Sequence, residues 1–120
     1  MKVTIKEIEV LDDRLAWTGY NFTMSDPSKN IICKISNSQK CCEHFGIHTK
    51  NNLKDFIGSE YYSVTIEKEE QPNAECFTIV KVSINTSRGV ILIILYNNHN
   101  GYYRHDFYIE TQHGLKIESL

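Results

Sequence analysis

The sequence predicts an α+β domain: mostly antiparallel β-sheet in meanders and hairpins, with one or two short helices inserted near residues 38–58. Three observations lead there. Apolar and polar residues alternate over several short stretches, the period of a half-buried strand. Turn-forming Gly, Pro, Asn, Asp and Ser separate those stretches at hairpin-like spacing. Ser38 before Gly46, and Asn51-Asn52 before Gly58, bracket segments with the cap and stop residues of short helical turns.

From Val3 to Leu11, Ile5, Ile8 and Leu11 repeat at near-helical spacing, while Val3/Ile5 and Ile8/Val10 alternate with a phase slip near Lys6-Glu7. The β-branched residues and the absence of a preceding cap favour a strand. Asp12-Asp13 reads as a turn. Ala16, Thr18, Tyr20, Phe22 and Met24 share one face of a second strand, with Leu15 and Trp17 opposite. Ser25-Asp26-Pro27-Ser28 is a turn, and Ile31, Cys33 and Ile35 define a third strand.

Helical turns are expected from Ser38 to Phe45 and again over Leu53-Lys54-Asp55-Phe56. Strand character returns with Tyr62, Val64 and Ile66 on one face, followed by a polar, mobile loop from Glu67 to Asn73. Cys76, Thr78, Val80, Val82 and Ile84 share a face and lead through Ser87-Arg88-Gly89 into Val90 to Tyr96, the clearest hairpin in the chain. Val90-Ile91-Leu92-Ile93-Ile94-Leu95 has no polar face, which predicts a central strand covered on both sides. Asn97 to Gly101 turns the chain. Tyr103, His105, Phe107 and Ile109 then alternate with Tyr102, Arg104, Asp106 and Tyr108, and Leu115 to Leu120 adds an edge strand.

The chain of 120 residues has the size of one domain, expected to span residues 1–120. Seven Tyr, five Phe and Trp17 need burial or a partner, which excludes a disordered chain. A formal charge of −2, with cations interspersed among acids, argues against nucleic-acid binding. No apolar run reaches the ~20 residues that span a bilayer. Met1 to Glu7 lacks the apolar core of a secretion signal. The expectation is a cytoplasmic protein without membrane contact, with Cys33, Cys41, Cys42 and Cys76 as reduced thiols.

Two stretches concentrate chemistry. In Cys41-Cys42-Glu43-His44, a helical segment would set His44 and His48 on one face, yet the paired spacing of a structural zinc site is absent. No metal site and no cofactor are expected. A thiolate at Cys41 or Cys42 with a histidine base is an alternative enzymatic reading, although no orienting group or oxyanion site accompanies it. The second stretch, Asn97-Asn98-His99-Asn100-Gly101-Tyr102-Tyr103-Arg104, is rich in amides. Asn and Gly suit a hairpin turn. Tyrosine faces stack on planar rings and arginine forks onto phosphate, which suits a nucleotide-like ligand. Packing of the tyrosines across the sheet or at a subunit contact is the competing account. Ser36 to Gln39 precede a helix start, where backbone N–H groups can hold an anion.

The segments Ser36-Asn37-Ser38-Gln39-Lys40-Cys41-Cys42-Glu43-His44-Phe45-Gly46, Phe56-Ile57-Gly58-Ser59-Glu60-Tyr61-Tyr62 and Leu95-Tyr96-Asn97-Asn98-His99-Asn100-Gly101-Tyr102-Tyr103 resemble an uncharacterised domain family of phages, other viruses and microbes. The Ser-Gln-x-Cys-Cys-Glu and His-Asn-Gly-Tyr-Tyr motifs are its most specific parts, and the similarity spans nearly the whole chain. The resemblance carries no activity. It implies a small stand-alone product encoded near viral accessory genes. Where the family has Glu in the second loop, this chain has Asn98.

In that context the expected function is a non-enzymatic binding protein, a viral anti-defence sponge that sequesters a nucleotide-derived immune signal in the host cytoplasm. Ser38, Gln39, Asn97, Asn98, His99 and Asn100 would hydrogen-bond the ligand, Tyr102 and Tyr103 would stack on it, and Arg104 would meet phosphate. A homo-oligomer is expected from the short, tyrosine-rich chain. The alternatives are a Cys-dependent hydrolase or transferase, and a protein-interaction inhibitor of a host enzyme.

Overall fold

The structure, a computed structural model, describes residues 2–12, 16–36, 44–71, 76–99 and 106–119. Within these residues the strands are β1 (Ile5–Asp12), β2 (Trp17–Met24), β3 (Ile31–Ser36), β4 (His44–Thr49), β5 (Tyr61–Gln71), β6 (Cys76–Thr86), β7 (Gly89–His99), β8 (Asp106–Thr111) and β9 (Gly114–Ser119). They form two antiparallel sheets, one in the order β1-β2-β3-β8-β9 and the other in the order β4-β7-β6-β5. The inner faces close on one core. Phe22, Ile31, Cys33, Ile35, Phe107 and Ile109 come from the first sheet; Val80, Val82, Ile84, Ile91, Ile93 and Leu95 come from the second. This is a β-sandwich. No helix among the described residues is long and apolar enough to cross a membrane.

The α+β expectation is therefore corrected to an all-β sandwich. Residues 37–43 lie outside the described residues, but His44–Thr49, where the first helix was expected to end, is strand. Phe45 and Ile47 pair with Asn97 and Leu95 and pack on the core, while Gly46 and His48 sit opposite Tyr96 and Ile94. The period of two across Phe45, Ile47 and Thr49 outweighs the weaker cap-and-stop signal. Leu53–Phe56 is a single 3₁₀ turn whose Asn52 cap makes no side-chain hydrogen bond to it.

Three smaller expectations also change. The loop from Glu67 is instead the continuation of β5 to Gln71, where Glu67 faces Lys81 and Glu69 bonds its Nζ at 3.1 Å. A bulge between Tyr61 and Ser63 turns Tyr61 into the core and leaves Tyr62 exposed, so Tyr62 does not share the face of Val64. Strand β7 is internal to its sheet, but only one of its faces is covered: Ile91, Ile93 and Leu95 are fully buried, whereas Val90 is 49% and Leu92 36% exposed.

Other features follow the sequence. The phase slip near Lys6 is a register shift between Ile5 and Glu7. The β6–β7 hairpin closes from Thr86 to Gly89, with φ of +120° at Gly89. Asp26 caps the Pro27–Lys29 turn through the Ser28 N–H. Strand β9 is an edge.

Gly19 in β2 pairs with Lys34, and a Cβ there would run into the Cys33 carbonyl and come within 2.8 Å of Lys34 Cβ. That space is filled from β3: Lys34 Nζ sits 4.9 Å from the Trp17 ring centroid and 4.7 Å from that of Tyr108. Gly19→Ala is expected to destabilise the fold by about 1–3 kcal/mol or more through this backbone clash. Urea unfolding checks it, and an unchanged midpoint would remove the close approach from the account.

Burial pushes the Cys33 thiol up to about 12. Its folded-state value stands above its unfolded one, so the stabilisation held by the neutral thiol is complete below about pH 8.5–9 and is lost as pH rises toward 12. Burial raises Tyr20 and Tyr61 as well, which adds loss in the same direction at still higher pH. Urea stability is therefore expected to fall above pH 9, and Cys33→Ala to fall less steeply; parallel slopes would assign the effect to other groups.

Candidate functional site

Of the residues expected to hold a ligand, Ser38, Gln39, Asn100, Tyr102, Tyr103 and Arg104 lie outside the described residues, as do Cys41 and Cys42. The structure does locate Asn97, Asn98 and His99. All three belong to β7, which runs to His99, so Asn97, expected to begin a turn, is strand. Asn97 is fully buried between Phe45 of β4 and Thr78 of β6. Asn98 pairs with His44 and Phe77, and His99 with Cys76.

The strand ends that flank the two motif segments are neighbours. In the first sheet Ile35 pairs with Phe107, which sets Ser36 beside Asp106. In the second sheet His44 pairs with Asn98. Residues 37–43 thus run from Ser36 to His44, and residues 100–105 from His99 to Asp106, between ends that adjoin in both sheets. The sequence did not reveal whether these segments approach one another; the long-range register brings their anchors to one end of the sandwich. On the outer face near that end, the Tyr96 ring lies over Gly46, where a Cβ would be 2.7 Å from its hydroxyl oxygen. His48 meets the same ring edge-on at 5.8 Å between centroids.

No three His, Cys, Asp or Glu side chains among the described residues are grouped to hold a metal ion. Cys33, the described free thiol, is buried in the core with a raised pKa, the opposite of an activated nucleophile.

Sequence reasoning missed a concavity elsewhere. A pocket of about 360 Å³ opens beside the edge strand β1, lined by Ile8, Val10, Tyr20, Leu53, Lys54 and Ile57 among others. Its wall, residues 49–58, is tied down at several points. The Asn51 side chain donates to the Val90 carbonyl and accepts from the Leu92 N–H, both at 3.0 Å, and so continues the β4 ladder along β7 after the backbone has left it. Arg88 donates to the carbonyls of Asp55 and Ile57 at 2.8 and 2.9 Å. The Gly58 N–H reaches the Ile5 carbonyl at 2.7 Å, in a left-handed conformation with φ of +90°. Asn51-Asn52 and Arg88 read in the sequence as turn residues. The available signal was Val10, an apolar residue in the inward phase of a strand with charged neighbours.

Comparison with known proteins returns one family. No curated protein and no solved structure matches the chain. Residues 2–109 match the domain of unknown function DUF7448, a span that takes in β1 through most of β8 and both motif segments. The chain belongs to the DUF7448 family.

Proposed function

We propose that this protein is a non-enzymatic binding module for a small nucleotide-type ligand, held at the end of the sandwich where the two motif segments are anchored. The observation that carries the reading is the register: Ser36 adjoins Asp106, and His44 pairs with Asn98. Adjacent anchors allow Ser38 and Gln39 from one segment, and Asn98, His99 and Asn100 from the other, to serve one ligand. Tyr102 and Tyr103 supply stacking faces and Arg104 a fork for phosphate. Asn97, buried beneath this end, supports the site from within β7. Sequestration needs affinity without chemistry, so a sponge for a nucleotide-derived immune signal is the finer form of the proposal.

A second reading has its own observation. The outer face of β7 presents Val90 and Leu92 to solvent in line with Ile94 and Tyr96, flanked by Ile79 on β6. An exposed apolar stripe of this kind suits a protein partner, including a second copy in a homo-oligomer.

Native mass spectrometry of the protein as purified from cells, followed by a denatured spectrum, separates the two. The binding-module reading expects a small organic mass that is lost on denaturation. It also expects Arg104→Ala to weaken binding of that compound by about 10- to 100-fold, the equivalent of a lost charge-assisted hydrogen bond of ~1.5–3 kcal/mol, with unchanged urea stability. Unchanged affinity removes Arg104 from the site. A bare chain that becomes monomeric on Leu92→Lys favours the protein-interaction reading.

A further inference from the structure

The pocket beside β1 lies apart from the end of the sandwich that anchors the motif segments, and nothing in the motif chemistry uses it. Its apolar lining is incompletely covered: Val10 on the floor is 64% and Ile57 on the wall 42% exposed, with Ile8 and Leu53 also in the lining. Strand β1 is an edge, and its register shift at Ile5/Glu7 brings Ile8 and Val10 into the phase of Phe22 and Tyr20, the inner face of the first sheet. Glu7 and Glu9 pair with Thr23 and Asn21 and take the opposite phase, which keeps their carboxylates off the floor.

The polar side chains of the lining come from Tyr20 on β2 and from residues 49–54. Tyr20 is half-buried and takes a backbone hydrogen bond from Thr49. The Asn52 side chain caps nothing in the adjoining turn, and Lys54 forms no ion pair with any described residue. Lys54 is the charged group among the lining residues. The wall that carries Asn52 and Lys54 is held by Asn51, Arg88 and Gly58 to β7, to the β6–β7 hairpin and to β1, so the cavity exists before any ligand arrives.

We infer that this pocket is a second ligand site, and that it takes a small free carboxylate with an aliphatic body, the body on Ile8, Val10, Leu53 and Ile57 and the carboxylate toward Lys54 and Asn52. Charge complementarity selects the head group: Lys54 and the unengaged Asn52 amide belong to the lining, and the lining contains no acid. Size selects the body. A volume of about 360 Å³ corresponds to roughly a dozen heavy atoms at the ~30 Å³ that one water occupies in the liquid. Branched aliphatic walls with a single ring favour a flexible chain over a stacked aromatic system.

The test is an amide chemical-shift titration of the full chain with octanoate, with 1-octanol and octylammonium in parallel. Octanoate is expected to give saturable shifts at Ile8, Val10, Tyr20, Asn52, Lys54 and Ile57, and to bind more tightly than either control. Lys54→Gln, at an exposed site in a turn, is expected to keep the folded spectrum, to weaken octanoate by about three- to tenfold, and to leave 1-octanol unchanged. The inference is overturned if the pocket amides show no saturable shift. It is also overturned if octylammonium binds as well as octanoate, if Lys54→Gln binds octanoate with unchanged affinity, or if Ile79 and Ile94 on the outer face of the second sheet shift in parallel with the pocket.

Discussion

Strand β7 is bonded along both edges, to β4 from Thr49/Ile93 to His44/Asn98 and to β6 from Gly89 to His99. Its inward residues Ile91, Ile93 and Leu95 are fully buried. Each such side chain contributes about 1.5–3 kcal/mol by burial, whereas an exposed pair such as Lys81–Glu69 contributes about 0.2–1. A slip of one residue in β7 would bring Leu92 and Ile94 inward and expel the other three, and would displace both neighbouring strands with it. The register of β7 therefore sets where β4 begins, where β6 begins and where the two motif segments are anchored.

That dependence explains what was legible in the sequence. Alternation read the inward faces of β2, β3 and β6 correctly, where one face is buried and the partner is close in the chain; in β5 the bulge at Tyr61 and the charged outer half defeated it. It even located the slip at Lys6, because the inward phase changes there. It misled where two signals competed. Ser38 and Gly46 resemble a helix cap and stop, but Phe45, Ile47 and Thr49 find their burial only against β7, far along the chain, and no local pattern announces that partner. The all-apolar run of β7 suggested two covered faces; its outer face instead has Val90 and Leu92 in solvent. Asn97 read as a turn residue because Asn favours turns, while in the fold it is the inward successor of Leu95.

The site residues divide along the same line. That the amide-, tyrosine- and arginine-rich stretch is chemically dense is a property of composition and visible in the chain. Its relation to the Ser38–Gln39 segment depends on Ser36 adjoining Asp106 and on His44 pairing with Asn98, two contacts made across different sheets. The pocket beside β1 was hidden for a different reason. Its wall is held by Asn51 and Arg88, whose side chains bond backbone groups about forty and thirty residues away, and an asparagine or arginine in a turn does not signal such a distant partner.

Edge management links the fold to the pocket beside β1. Strand β5 carries Glu67, Lys68 and Glu69, charges that discourage pairing with another sheet. Strand β1 has Glu7, Glu9 and a register shift, which protect its edge in the same way. A bulge also increases local twist. The second sheet begins at β4, whose ladder ends at Thr49, and beyond it the Thr49 and Asn51 side chains follow β7 to Leu92 and Val90. Among the described residues the inner face of β1 beyond Ile8 thus has no strand above it, and the turn held by Arg88 and Gly58 roofs it instead. A cavity with an aliphatic floor follows from a sandwich whose second sheet stops short of its first.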